Sequence, residues 1–278
     1  MYKLASFIDI DKLNYYSYQH LHCNICKNEN AIEYILKNNM INYSILSKNI
    51  NAIHILSYHL DKVNWKYLST NINAISILEK NINKIKWKYL CQNHNALPII
   101  IKYKQNIHWS EISSNSSAIY LIMDNLDKIN LKLFCLNQHP IAIKFFENNI
   151  NIIDWTYLSK NPAAIQILKN NIDKINWDLF CLNTHCEAIN ILSNNLDKIN
   201  WIKLSQNPSA KYLFLKYPHK ICYPFIIENP CIFEYDYENM NKNLNFIREE
   251  LMQKCFHPKR LLYYLEHYNY DIGIEEYV

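Results

Sequence analysis

The chain of 278 residues is half hydrophobic and has a formal net charge of +4, so it holds enough apolar residues for a large buried core or a long array of small units. Its 29 basic residues include only two arginines, Arg248 and Arg260, which disfavours a dedicated nucleic-acid binder with clustered Arg and Lys. The single glycine, Gly273, excludes a P-loop, a dinucleotide fingerprint and a nucleophile elbow, because each needs glycine where the backbone approaches a ligand or turns sharply.

The cysteines and the first residues indicate the compartment. Nine cysteines are an odd number, scattered along a chain too long for a disulfide scaffold, so we expect a reducing compartment. The opening residues carry Asp9 and Asp11 where a signal peptide needs an apolar stretch. No run of 18 apolar residues occurs, and we therefore expect no membrane-spanning helix.

In chain order, residues 1–29 come first, and they lack the regular pattern that follows. We predict that they form an N-terminal cap, in which the motif DKLNY places an imperfect anchor residue at Tyr15. The same segment holds a metal-like cluster of His20, His22, Cys23 and Cys26. A CxxC with nearby histidines could supply zinc ligands, but no second CxxC or HxxxH lies at a zinc-finger spacing. Amphipathic packing of the cap is the alternative explanation, so no metal ligand is assigned.

Residues 30–231 repeat one pattern, which we align on an aromatic or apolar anchor. The nine anchors are Tyr43, Trp65, Trp87, Trp109, Leu131, Trp155, Trp177, Trp201 and Tyr223. They are 22 residues apart, except for two steps of 24, and such a period indicates a solenoid. Each unit pairs an alanine with an apolar residue four positions later, as in Ala164 and Leu168, which share one helical face. The anchor pairs with an apolar residue three positions later, so an α-helix and a one-turn α or 3₁₀ segment are predicted in every unit.

Two sets of asparagines are predicted to shape the turns. One set follows the alanine by seven residues and is predicted to end the helix in a left-handed conformation in place of glycine: Asn81, Asn125, Asn149, Asn171 and Asn195. The other set follows every anchor by six residues and resembles a helix N-cap. After Leu131 and Trp177 two extra residues precede the next alanine, yet Asn137 and Asn183 keep their distance from the anchor. A pure N-cap would have moved with the helix, so we predict that these asparagines also bind backbone of the adjacent unit in a ladder.

No constellation with the spacing of a catalytic site is found. Three cysteines follow an anchor by four residues, where other units have serine: Cys91, Cys135 and Cys181. We interpret this slot as one that needs a small side chain near the core. His139 and His185 lie two units apart, about 20 Å at ~10 Å per stacked layer, and cannot share one metal ion. Asp-Lys pairs such as Asp173-Lys174 are interpreted as solvated turns. No catalytic, cofactor-binding or metal-binding residue is predicted.

A single unit buries too little apolar surface to offset the entropy of ordering it, so the units must stack and the array needs caps. Residues 232–278 break the pattern and are predicted to form a C-terminal helical cap. Its last helix is predicted over CFHPKRLLYYLEHYNYDI, with Pro258 in the first turn. Pro98 is likewise predicted to lie in the first turn of its helix, since a deeper position would kink the unit.

The combination of NPxAIxxLxxNxDKINWxxLS, IFEYDY (Ile232–Tyr237) and FHPKR (Phe256–Arg260) resembles the Asn/Ile/Trp-rich 22-residue repeat proteins of mimivirus-like giant DNA viruses over nearly the whole chain. The resemblance implies expression in an infected protist, in the host cytoplasm or the virus factory, and it supplies no active-site residue. Leu131 in place of tryptophan departs from the pattern. The repeat is also similar in architecture to leucine-rich variant repeats, which alternate an α-helix with a 3₁₀ turn, but only as an analogy.

The sequence therefore predicts an all-α helical-repeat solenoid of about nine to ten units of 22–24 residues between helical caps. We expect a non-enzymatic module that binds a host or viral protein along its exposed edge, because solenoids present extended surfaces. A scaffold component of the virion or factory is not separated from this hypothesis. The alternative is a nucleic-acid-binding helical repeat protein, which the lysine-dominated charge disfavours. An enzyme is disfavoured because no nucleophile–base pair or metal set is visible.

Overall fold

The computed structural model describes residues 2–16, 22–255, 257, 260 and 263. Helices account for 63% of the structure and strands for 2%, which confirms the predicted all-α class. The chain divides into two compact units, one of Leu4–Phe233 and a smaller one of Met1–Lys3 with Glu234–Val278. The predicted division into an N-terminal cap, a repeat array and a C-terminal cap stays a prediction.

The larger unit alternates two sets of helices after α1 (Ile10–Tyr16). The first set has one or two turns and is called the anchor helices: α2 (His22–Ile25), α4 (Tyr43–Leu46), α6 (Trp65–Thr70), α8 (Trp87–Leu90), α10 (Trp109–Ile112), α12 (Leu131–Phe134), α14 (Trp155–Ser159), α16 (Trp177–Phe180), α18 (Trp201–Leu204) and α20 (Tyr223–Ile226). The second set follows the recurring alanine and is called the Ala helices: α3 (Ile32–Lys37), α5 (Ile53–Ser57), α7 (Ile75–Lys80), α9 (Leu97–Lys102), α11 (Ile119–Met123), α13 (Pro140–Asn148), α15 (Ile165–Lys169), α17 (Cys186–Ser193) and α19 (Lys211–Lys216).

Single 3₁₀ turns lead into or out of the Ala helices, and the last one leads into strand Phe233–Tyr235. They span Ile50–Ala52, Ile82–Lys84, His94–Ala96, Lys104–Asn106, Ser116–Ala118, Ile150–Ile152, Pro162–Ala164, Ile172–Lys174, Leu196–Lys198, Pro208–Ala210, Pro218–Lys220 and Pro230–Ile232. Pro98 occupies the first turn of α9, which confirms the predicted placement, because proline there removes an N–H that no helical bond needs.

The core of the larger unit consists of the positions that the period selects. The recurring alanines, the residues four positions after them and the residues three positions after the anchors are all at most 1% exposed. Phenylalanine fills some of these slots, as at Phe134, Phe146 and Phe180. The six tryptophan anchors are half-buried. Burial of these slots is the main stabilising contribution to the fold.

A ladder of asparagines connects the units through their backbone, as the two 24-residue steps predicted. Its members are Asn28, Asn49, Asn71, Asn93, Asn115, Asn137, Asn161, Asn183, Asn207 and Asn229, all at most 1% exposed. Each Oδ1 accepts from the backbone N–H two residues later at 2.9–3.0 Å. From Asn49 onward, each Nδ2 donates to two backbone carbonyls of the preceding unit at 2.7–3.1 Å.

The first asparagine of the ladder is hydrogen-bonded to the backbone around the last one. Asn28 Nδ2 donates to the carbonyls of Ile227 and Asn229 at 3.1 and 2.8 Å, which are the same two positions that every other ladder asparagine uses in its neighbour. Lys27 Nζ lies 2.7 Å from the carboxylate of Glu228 beside this contact. The first ladder position is therefore hydrogen-bonded to the last, and the ten asparagines form a closed circuit of bonds.

Helix α1, in the segment before Asn28, contacts α20. Lys12 Nζ lies 5.6 Å from the ring centre of Tyr223, and Leu13 is fully buried, so both fill slots that precede an anchor. Tyr15 occupies the predicted anchor position and is 56% exposed. The ladder asparagine Asn28 follows Tyr15 by thirteen residues, whereas each of the other anchors is followed by its ladder asparagine after six. Helix α2, of four residues, lies between Tyr15 and Asn28 in the sequence, which the motif DKLNY alone did not indicate.

The two inserted residue pairs produce longer Ala helices. In α13 and α17 a histidine replaces the usual 3₁₀ turn as the residue before the helix. Its Nδ1 accepts the backbone N–H two residues later, at 3.2 Å for His139 and 3.1 Å for His185. The side chain of the ladder asparagine accepts the backbone N–H of the histidine, and the histidine side chain accepts a backbone N–H in the first turn of the helix. The prediction that Asn137 and Asn183 stay with the anchor is therefore confirmed.

The predicted left-handed helix ends are wrong. Among the described residues, Asn39 is the only non-glycine residue with positive φ, whereas Asn81, Asn149, Asn171 and Asn195 have φ between −133° and −138°. Each of the four also begins the following 3₁₀ turn, so its backbone cannot turn left-handed. Its side-chain amide instead donates to the carbonyl four residues earlier at 2.8–2.9 Å and satisfies an orphan helix acceptor.

The smaller unit holds the only strand pair among the described residues and one long helix. β1 (Tyr2–Leu4) pairs with β2 (Phe233–Tyr235), and the ring of Tyr2 stacks on that of Tyr235 at 4.9 Å. Helix α21 runs over Tyr237–Cys255. The predicted helix beyond residue 255, with Pro258, lies almost wholly outside the described residues.

Candidate functional site

The Asp-Lys pairs are exposed, which confirms their interpretation as solvated turns, and their lysines also lie over the anchor rings. In five units the lysine three residues before an anchor places its Nζ 4.4–5.2 Å from the ring centre of the preceding anchor, within cation–π range. The pairs are Lys62 with Tyr43, Lys84 with Trp65, Lys128 with Trp109, Lys174 with Trp155 and Lys198 with Trp177. The sequence held a signal for this contact: where Leu131 replaces the tryptophan, Ile152 replaces the lysine.

The slot four residues after the anchor forms a second connection between units. Its serines are Ser47, Ser69, Ser113, Ser159 and Ser205. Each Oγ donates to the carbonyl of its own anchor at 2.6–2.8 Å and accepts the backbone N–H that precedes the next anchor at 2.9–3.1 Å. At Cys91 the thiol replaces the hydroxyl and accepts from His108 N at 3.3 Å. The slot therefore needs a small side chain that can accept a hydrogen bond, which goes beyond the predicted requirement for size.

The thiols of this slot are poor nucleophiles. Cys91, Cys135 and Cys181 are fully buried, and burial raises the pKa of all three. The pKa of Cys135 rises to about 11, which leaves very little thiolate at neutral pH. The exposed Cys186 lies beside His185, with Sγ and Nδ1 3.9 Å apart, but that Nδ1 already accepts the N–H of Glu187 at 3.1 Å.

The metal-like cluster lies largely outside the structure. His20 is not among the described residues, and nothing is described of the side chains of His22 and Cys23. The buried Cys26 Sγ donates to the carbonyl of Met40 at 3.3 Å. Within the described ranges, no group of three or more His, Cys, Asp or Glu residues is placed to hold a metal ion. Whether this cluster binds a metal stays an open alternative.

A face of each anchor helix runs beside the ladder and is called the ladder face. It consists of the residues two and five positions after each anchor, the second of which directly precedes the ladder asparagine. Four lysines lie on this face or directly before its asparagines: Lys27, Lys48, Lys160 and Lys203. Carboxylates on the face are paired, since Glu228 contacts Lys27 at 2.7 Å and Glu111 contacts Lys88 at 3.1 Å.

Lys160 directly precedes a ladder asparagine, and its side chain is exposed. Desolvation lowers the pKa of Lys160, and the positive charges of Lys203 and Lys48 lower it further. Lys48 and Lys160 are five ladder steps apart in either direction around the circuit.

The Ala helices carry exposed aromatic and aliphatic side chains. Tyr120 is 70% exposed on α11, and Ile101 is 48% exposed on the neighbouring α9. Tyr212 on α19 and Tyr58, which ends α5, are 61% and 85% exposed. These side chains are available to a partner without any rearrangement of the core.

No helix among the described residues is both long and apolar enough to cross a membrane. No protein-family model matches the chain, and neither a curated protein nor a solved structure is similar to it. The function must therefore be argued from the geometry of this chain.

Proposed function

We propose that this chain is a non-enzymatic interaction and scaffold protein, built as a helical-repeat solenoid that closes into a ring of ten units. The closed circuit of ladder bonds is the observation that carries the proposal. Asn28 makes the same pair of bonds to the last unit that Asn161 makes to its neighbour, so no unit in the circuit lacks a stacking partner. A ring of this kind keeps its surface in a fixed geometry and has no open end at which further copies could add.

The use of the polar side chains supports a structural rather than a catalytic role. Capping and contacts between neighbouring units occupy the hydrogen-bonding groups of the buried asparagines and the slot serines. The same is true of His139 and His185. The slot cysteines keep their protons because burial raises their pKa. These are the groups on which acid–base or nucleophilic chemistry would have to depend.

The exposed outer side chains support a protein partner. Tyrosine supplies large contact area at low entropic cost and is enriched in protein interfaces. Tyr120 and Ile101 lie on neighbouring Ala helices and are exposed enough to bury most of their area on binding. From the resemblance of the repeat, the partner is a host or viral protein, met in the host cytoplasm or the virus factory of an infected protist.

Quantitative affinity capture from infected protist cells tests the proposal. The bait is the full chain, compared with a Tyr120→Ser, Ile101→Ser double variant and with Leu251→Ser, which changes an exposed apolar residue of α21 in the smaller unit, as the control. We expect a defined partner that binds the natural chain and the control and is reduced at least tenfold with the double variant. Equal recovery with all three baits, or only proteins that also bind an unrelated bait, would refute the outer surface as the binding face.

Nucleic-acid binding is the second candidate, and the lysines of the ladder face are the observation that favours it. The net charge of +4 and the scarcity of arginine weigh against it. Salt-dependent binding of a random single-stranded oligonucleotide would favour this candidate, and no binding at about 50 mM salt would dismiss it.

A further inference from the structure

One junction in the circuit of ladder bonds joins units that are far apart in the sequence, and it is called the seam. At the seam Asn28 bonds the carbonyls of Ile227 and Asn229, which lie 199 and 201 residues further along the chain. At every other junction the two ladder asparagines are 21–24 residues apart. When such an internal junction breaks, the short connecting segment keeps its two units close together. The seam has no connecting segment of this kind.

The seam also lacks a hydrogen bond that internal junctions have. Inside the array a slot serine accepts the backbone N–H before the next anchor, as Ser159 does from Asn176 N at 2.9 Å. In the last unit the slot holds Ile227, which is fully buried but has no polar side-chain atom. The ladder bonds of Asn28, at 3.1 and 2.8 Å, lie within the range of the internal ones and do not compensate for this loss.

An ion pair and a phenol hydrogen bond near the surface contribute to closing the seam. Lys27 Nζ lies 2.7 Å from Glu228 Oε1, and the two side chains are 25% and 34% exposed. Asp9 N donates to the hydroxyl of Tyr223 at 3.0 Å. Because both charged side chains are partly accessible, dissolved salt screens their attraction. The contacts across the seam are therefore more sensitive to ionic strength than the buried bonds between internal units.

We propose that the seam is a clasp at which the ring opens and closes, and that the Lys27–Glu228 ion pair makes the closed state sensitive to ionic strength. A mismatch between the natural curvature of the stack and a closed circle accumulates over all units, and it is relieved when one junction parts. The seam parts with the least free energy because it has neither a connecting segment nor a slot bond. Such an opening is a minor state that precedes global unfolding. The clasp rests on the proposed ring closure.

Hydrogen exchange of single amides, followed by NMR on the full chain, tests the clasp. Two amides donate across the seam, Ala5 N to the carbonyl of Ile232 at 2.8 Å and Asp9 N to the hydroxyl of Tyr223 at 3.0 Å. The amide of Asn176 donates across an internal junction and is the reference. Relative to this reference, we expect the two seam amides to exchange at least about threefold faster when NaCl is raised from about 50 to about 500 mM.

A charge-removing variant assigns the effect to the ion pair. Glu228→Gln keeps an acceptor for Lys27 but removes the negative charge. At low salt its seam amides should exchange at least about threefold faster than those of the natural chain, and their salt dependence should disappear. Lys169→Gln is the matched control, because Lys169 Nζ lies 2.7 Å from Glu187 Oε2 in an ion pair between consecutive units. It should change exchange at the seam by less than about twofold.

Zero-length carbodiimide cross-linking of the dilute protein at low salt separates a failure of the clasp from a failure of the ring. A Lys27–Glu228 cross-link in the mapped peptides shows that the two ends meet in solution. If this cross-link forms but exchange at the seam changes neither with salt nor in Glu228→Gln, the clasp is wrong and the ring stands. The same holds if Asn176 exchanges faster to the same extent as the seam amides. No cross-link, with seam amides unprotected at both salts, would refute the ring and the clasp together.

Discussion

Removing one ladder asparagine should destabilise the protein by several kcal/mol, and Asn161→Ala is the clearest case. Asn161 Nδ2 donates to the carbonyls of Cys135 and Asn137 at 2.8 and 2.9 Å, and its Oδ1 accepts from Ala163 N at 3.0 Å. Each of these buried bonds contributes about 1 kcal/mol net, so their loss costs about 3 kcal/mol. The two carbonyls and the N–H that lose their partner are buried between units. We therefore expect a loss of stability toward the upper end of the range for unsatisfied buried groups.

Equilibrium unfolding in urea measures this loss as a change in the free energy of unfolding. Asn170→Ala is the matched control, because Asn170 is exposed next to the same helix and should cost less than about 0.5 kcal/mol. Asn161→Asp keeps the acceptor for Ala163 N but turns a carboxylate oxygen toward two carbonyls, so it should be at least as damaging as alanine. A loss at Asn161 no larger than that at Asn170 would refute the ladder as a stabilising element.

The remaining predictions concern ring closure, the anchors and the thiols. Asn28→Ala should lower the free energy of unfolding in urea by about 3 kcal/mol, as an internal ladder variant does. In an open stack the terminal unit would fray, and the same substitution would lower it by less than about 0.5 kcal/mol. Lys174→Met keeps the side-chain stem but removes the charge over Trp155, and a double-mutant cycle with Trp155→Leu should give a coupling of about 0.5–1 kcal/mol; zero coupling would contradict the contact. At pH 8 Cys135 should resist iodoacetamide, since a pKa of about 11 leaves roughly one thiolate in a thousand, while the exposed Cys186 reacts; peptide mass mapping that finds both alkylated at one rate in the native protein would contradict this.

Several features were predictable from the sequence because they depend on neighbours along the chain. The buried slots follow from helical spacing, and the inter-unit role of Asn137 and Asn183 follows from their fixed distance to the anchor. The left-handed ends were wrong because Asn81 and its equivalents begin a new turn at once, so their side chains take over the capping. The packing of Lys174 on Trp155 was missed because a charge in a turn is usually solvated.

The sequence by itself determined the all-α class, the period, the buried positions and the ladder asparagines, since each rests on spacing within one unit or between adjacent units. Only the tertiary structure decided that Asn28 meets Asn229. This contact depends on the small rotation between successive units, about 36° each if ten units complete a circle, and that angle accumulates over the whole array. No local motif specifies the angle, because it results from the packing of every helix pair in turn.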